Sequence, residues 1–171
     1  MSKLNVDQKA IIDLLSDKKA DFLIPDYQRP YAWSEEQCQT LWDDIFLFSF
    51  PDNNYEAFDD NEEYFLGSIV TYKNENGKSE VIDGQQRLTT LMLMLRAFYD
   101  KFESMKDKNS ILTRDRIEKC IWKTDTFGTA DKNTLKIDSE VATDNDKDEF
   151  LELLRTGVVK KGSKSQYVLN Y

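Results

Sequence analysis

Two short segments concentrate the residue types that can hold an anion or move a proton. The first is Asp83-Gly84-Gln85-Gln86-Arg87. The preceding Ser79 to Asp83 is rich in strand-forming residues, and Gln85 to about Glu103 carries Leu88, Leu91, Met92, Leu95, Phe98, Tyr99 and Phe102 at helical spacing. The five residues therefore sit where a strand hands over to a buried helix. Gly84 suits the sharp turn and lets backbone approach closely. The first N–H groups of the helix have no partner within it, and the positive end of the helix dipole lies behind them, so the turn is a favourable seat for phosphate. Arg87 adds a charged contact, Gln85 and Gln86 offer neutral donors and acceptors, and Asp83 suits a metal ion, a sugar hydroxyl or an attacking water. The plainer alternative is that Asp83 only caps the helix.

The second segment is Ile24-Pro25-Asp26-Tyr27-Gln28-Arg29-Pro30-Tyr31-Ala32-Trp33. Its prolines exclude helix and stiffen the chain. Such a loop can present Arg29 and Tyr27 to a ligand at small entropic cost. It can equally be a structural plug, with Tyr31 and Trp33 filling the core.

The surrounding elements must position these residues. Asn5 is expected to cap a first helix running to about Ser16, with Val6, Ala10, Ile11, Leu14 and Leu15 on one face. Phe22-Leu23-Ile24 reads as a strand. Ser34 with Gln37 forms a capping box for a helix expected to turn Cys38, Leu41, Trp42, Ile45 and Phe48 inward. Pro51 to Asn61 reads as a loop. Tyr64 to Tyr72 is expected to be a strand, joined through an Asn76-Gly77 turn to the strand ending at Asp83. Asn109 to Lys123 and Asp146 to Leu154 read as helices, and Thr134 to Val141 as a strand. The expected organisation is a core over 1–105 followed by a mainly helical extension over 106–171, a piece of a longer protein.

Composition narrows the chemistry. The chain contains no histidine, which removes Ser-His-Asp triads, Cys-His dyads and His-ligated zinc, as well as an HNH-type nuclease centre within these residues. Its net charge of −9 disfavours broad DNA binding, leaving Lys119 to Lys123 and Lys160 to Lys164 as local basic candidates. Cys38 and Cys120 belong to no CxxC pair and are expected to be free thiols. Neither a Walker A loop nor a GxGxxG fingerprint occurs. No apolar run has membrane-spanning length and the start lacks a signal-peptide stretch, so a cytoplasmic protein is expected.

Taken together, Ile24 to Trp33, Phe65 to Ile69 and Ile82 to Leu91 resemble the IPxYQRxYxW, FLGxI and IDGQQRLTTL motifs of the domain that opens GmrSD-type modification-dependent restriction enzymes. Asn170-Tyr171 is similar to a further family position. The resemblance implies an α+β, ParB/sulfiredoxin-like nucleotide-binding fold: a small sheet, a β-hairpin leading into a long buried helix, and flanking helices. It implies Asp83, Gln86 and Arg87 as catalytic residues. Gly84, Gln85 and Arg87, with Gln28 and Arg29, would bind a nucleoside triphosphate, and Asp83 could hold Mg2+. Hydrolysis would gate DNA cleavage by a separate HNH-type nuclease domain or partner chain. Modified DNA would be met through the full-length protein, with a homo-oligomer as a further option. Two other functions compete. A non-catalytic module could sense modified DNA or a partner by stacking Tyr27, Tyr31 or Trp33 on a base. A carboxylate–metal nuclease could be built from Asp83 with the distant Asp43 and Asp44.

Overall fold

The computed structural model describes residues 6–59 and 61–171. Its principal sheet has four strands in the order β2-β3-β1-β6, comprising β1 (Phe22–Ile24), β2 (Val70–Lys73), β3 (Ser79–Asp83) and β6 (Ile137–Ser139). β1 runs parallel to both β3 and β6, and β2 pairs antiparallel with β3 through the hairpin. The carboxyl ends of β3, β1 and β6 therefore open on one side, where ligands of mixed α/β sheets characteristically bind. A small second sheet pairs β4 (Trp122–Thr124) with β5 (Ala130–Leu135). The helices are α1 (Ile11–Ser16), α2 (Glu35–Ser49), α3 (Gln85–Glu103), α4 (Lys108–Ile121), α5 (Lys147–Thr156) and α6 (Gln166–Leu169). The fold is mixed α+β. β6 comes from beyond residue 105 and completes the same sheet as β1.

α3 is the central element, as its wide apolar arc requires. Leu88, Leu91, Met92, Leu93 and Tyr99 are buried, and the helix packs on α4. Phe150, Leu153 and Leu154 of α5, together with Trp122, extend the core. The capping box at Ser34 and Gln37 forms with both reciprocal bonds. Both cysteines are free thiols.

Four expectations are corrected. The first helix is shorter, beginning at Ile11 after an Ala10 N-cap that makes no side-chain bond; Asn5 lies outside the described residues. Val6 to Ala10 are exposed, so no burial offsets the ordering of a further turn. α2 buries only Leu41 of its five expected inward residues, and Trp42 remains 39% exposed. The expected strand over 64–72 shrinks to Val70–Lys73, because Gly67 at φ 99° breaks the extended path. Thr134 to Val141 divides between two sheets at Lys136, whose fully buried ammonium donates to the carbonyls of Leu15 and Asp17. In addition, α4 stops at Ile121, and Trp122–Thr124 continues as strand.

Candidate functional site

The turn between β3 and α3 is held by residues from three distant segments. Gly84 is the N-cap of α3, in the left-handed region at φ 87°, and no side chain caps the helix. Asp83 is exposed at the end of β3 and does not serve as the cap. The N–H groups of Gln85, Gln86 and Arg87 thus begin the helix without an intrahelical acceptor. A Cβ on residue 84 would lie 2.7 Å from the Ser68 carbonyl oxygen, so the 67–69 segment passes directly over the turn and only glycine fits.

Arg87 crosses to that same segment. Its Nη1 donates to the Ser68 carbonyl at 3.0 Å, and its guanidinium covers Gly67 so closely that a Cβ there would meet Cζ at 2.7 Å. The side chain is part-exposed, and among the described residues no carboxylate forms an ion pair with it. Arg29 is likewise exposed and has no ion pair among them. Two guanidinium groups without carboxylate partners remain available to an anion.

The glutamines have a different task. Gln85 is buried and donates through Nε2 to the Arg29 carbonyl at 3.1 Å. Gln86 is also buried; its Oε1 accepts from Ala32 N at 2.8 Å and its Nε2 donates to the Pro30 carbonyl at 3.1 Å. Both ends of the amide expected to be catalytic are therefore occupied by backbone. Gln28 answers from the other side, donating to the carbonyls of Val81 and Ile82 at 3.2 and 3.0 Å. Three amides fasten the proline-stiffened segment across the ends of β1 and β3.

Tyr31 anchors the same segment from below. Its ring stacks on Tyr167 at 4.9 Å, and Tyr167 stacks on Phe150 at 4.7 Å. Its hydroxyl meets Thr90 Oγ1 at 2.8 Å and accepts from Asn170 Nδ2 at 3.0 Å, while the same amide nitrogen donates to the Trp33 carbonyl at 2.7 Å. Burial pushes the Tyr31 phenol well above its ordinary value. Tyr31 and the part-buried Trp33 thus serve packing, and of the three aromatics considered for base stacking only Tyr27 presents an exposed ring. The distant carboxylates do not converge on Asp83: Asp44 accepts from Tyr64 and Asp43 from Gln39. Among the described residues no group of three or more His, Cys, Asp or Glu side chains is arranged to hold a metal. Of the basic candidates, Lys123 pairs with Asp21 at 2.6 Å, whereas Lys160, Lys161 and Lys164 are exposed.

The three motif segments, Ile24 to Trp33, Phe65 to Ile69 and Ile82 to Leu91, meet at one turn. A family model described as the GmrSD restriction endonuclease N-terminal domain matches residues 11–170. The chain belongs to this family. Comparison with curated proteins finds no match. Within the GmrSD N-terminal domain seen here, sequence reasoning overlooked the contribution of Gly67 and Ser68 to the site. The FLGxI motif over Phe65 to Ile69 marked the segment, but its contact with Arg87 is non-local and spacing does not encode it. Membership sets the domain in the context of a restriction endonuclease. Among the described residues no helix is long and apolar enough to cross a membrane.

Proposed function

We propose that this domain binds and hydrolyses a nucleoside triphosphate, and that hydrolysis licenses DNA cleavage by a separate HNH-type nuclease domain or partner chain that meets modified DNA. The observation carrying the proposal is the uncapped start of α3 at the carboxyl ends of parallel strands, flanked by two arginines that have no carboxylate partner among the described residues. In this reading the fold is ParB/sulfiredoxin-like. The N–H groups of residues 84–87 and the Arg87 guanidinium receive phosphate oxygens, with Arg29 adding charge from the facing segment. Asp83 fits a single carboxylate contact to Mg2+, the remaining ligands coming from triphosphate oxygens and water, as this ion ordinarily prefers. With no side-chain partner among the described residues, the Asp83 carboxylate can alternatively orient the attacking water. Gln85, Gln86 and Gln28 are positioning residues: they fix the 28–32 segment against the turn and leave the reacting atoms to Asp83 and Arg87.

Isothermal titration with each of the four nucleoside triphosphates plus Mg2+ tests this. At least one should bind the wild type. Arg87→Ala should weaken it about tenfold or more, the scale of a lost charged hydrogen bond. Asp83→Asn should retain binding and lose phosphate release. A folded protein that binds none of the four sinks the proposal.

A further inference from the structure

Between Arg29 and Lys73 the sequence holds ten Asp and Glu residues and not one Lys or Arg. This single stretch carries more negative charge than the net −9 of the whole chain. Among the described residues none of its carboxylates forms an ion pair. The stretch also brings large apolar side chains to the surface. Trp42, Phe46 and Phe50 follow one another at helical spacing along α2, with ring centroids 6.1 and 5.0 Å apart, and each is more than a third exposed. Leu47 beside them is 63% exposed. Trp42 leans on Phe98 of α3 at 5.9 Å, and a groove of about 360 Å³ opens between α2, α3 and residues 169–171, walled chiefly by Leu41, Trp42, Met94 and Phe98, with Glu35 of α2 and Lys101 of α3 also in its lining.

We propose that this groove receives a cationic amphipathic helix from a partner protein. The apolar face of the helix fills the groove, and its lysines or arginines meet the acidic flank of α2. An aromatic groove supplies the anchoring contacts for a helix, and unpaired carboxylates select the sign of its polar face and speed encounter. The same charge repels the competing occupants. DNA and anionic lipid surfaces both present negative charge, and a second copy docking symmetrically would set this acidic face against itself. The inference is independent of any nucleotide chemistry at the β3–α3 turn.

Two synthetic amphipathic helices with identical leucine faces, one with a lysine polar face and one with a glutamate face, provide the probe. Titrated into the intact chain, the lysine helix should bind and the glutamate helix should not. Trp42→Ser, which removes a lining side chain, should weaken binding about tenfold, the scale of one lost anchor side chain. Glu35→Lys, in the groove lining, combined with Asp43→Lys on the same helix, both at exposed positions, should reverse the preference between the helices whether or not Trp42→Ser folds. Equal binding of the two helices overturns the proposal. So does indifference to both variants, or binding of a DNA duplex alone to this face.

Discussion

Arg87 and the two glycines near it show how narrow the tolerances at the turn are. At Gly84 a side chain would face both a left-handed backbone and the Ser68 carbonyl 2.7 Å away. Gly84→Ala should therefore lower stability by at least about 1–2 kcal/mol, the backbone penalty alone, as measured by urea unfolding. A substitution without effect would mean that the turn is not held as described. Gly67→Ala carries a similar backbone penalty, and its collision with the flexible end of Arg87 costs mainly the displaced guanidinium's bond to the Ser68 carbonyl. The collision disappears in an Arg87→Ala background. A double-mutant cycle should accordingly show the two changes to be non-additive, with the pair less destabilised than the sum of the singles. Strict additivity would place Arg87 away from Gly67.

Among the elements, the proline-stiffened segment is the one whose position depends on side-chain amides rather than on a sheet ladder. Replacing Gln86 by Met keeps the bulk but leaves Ala32 N and the Pro30 carbonyl unpaired, which should cost about 1–3 kcal/mol. Amide hydrogen exchange at Tyr31 to Trp33 should accelerate while α5 stays protected; unchanged protection would contradict the clamp. This region also shows what the sequence could reveal. β1, the hairpin turn, β3, Gly84 and the span of α3 were all legible, because each is specified by local spacing and turn chemistry. The site was legible as a location, since a strand–glycine–helix junction is itself a local pattern. The duties within it were not. That Gln85 and Gln86 bond to residues 29–32, or that Asn170 holds Tyr31, depends on contacts between distant segments that periodicity does not encode. The face of α2 was misjudged for a related reason: its apolar spacing is helical, but α3 covers only one edge of it. The boundary at Lys136 was hidden because a charged residue rarely marks the best-buried point of a chain.

For the molecule as a whole, the groups held neutral inside it predict its response to alkali. Burial pushes the Cys120 thiol up to about 11 and the Tyr171 phenol up to about 12, and holds the Tyr31 and Tyr167 phenols well above their usual range. Each is raised on folding, so its contribution is fully present below the ordinary values of 9.0 for the thiol and 10.0 for the phenols, and is lost as pH rises through the folded values. Lys136, pushed down by burial, works in the opposite sense: its penalty is relieved as pH approaches the ordinary 10.5. Four groups oppose one, so the urea midpoint should fall steadily above pH 9. Cys120→Ala should flatten the early part of that decline. A midpoint that is level or rising through this range would contradict the buried thiol and phenols.

Asn170 reaches back 139 residues to the Tyr31 hydroxyl, and β6 closes on β1 from the same late part of the chain. During synthesis, which runs from the amino end, the proline-stiffened segment leaves the ribosome early, meets its amide partners when Gln85 and Gln86 emerge, and gains its bond from Asn170 far later. The nascent chain consequently carries every motif of the site while lacking the assembled site itself. Such distant pairings slow folding, so the newborn domain passes through an interval in which its aromatic rings are open to wrong partners. The amide clamp at the β3–α3 turn needs nothing beyond α3, whereas the Tyr31 anchor beneath it waits for α6.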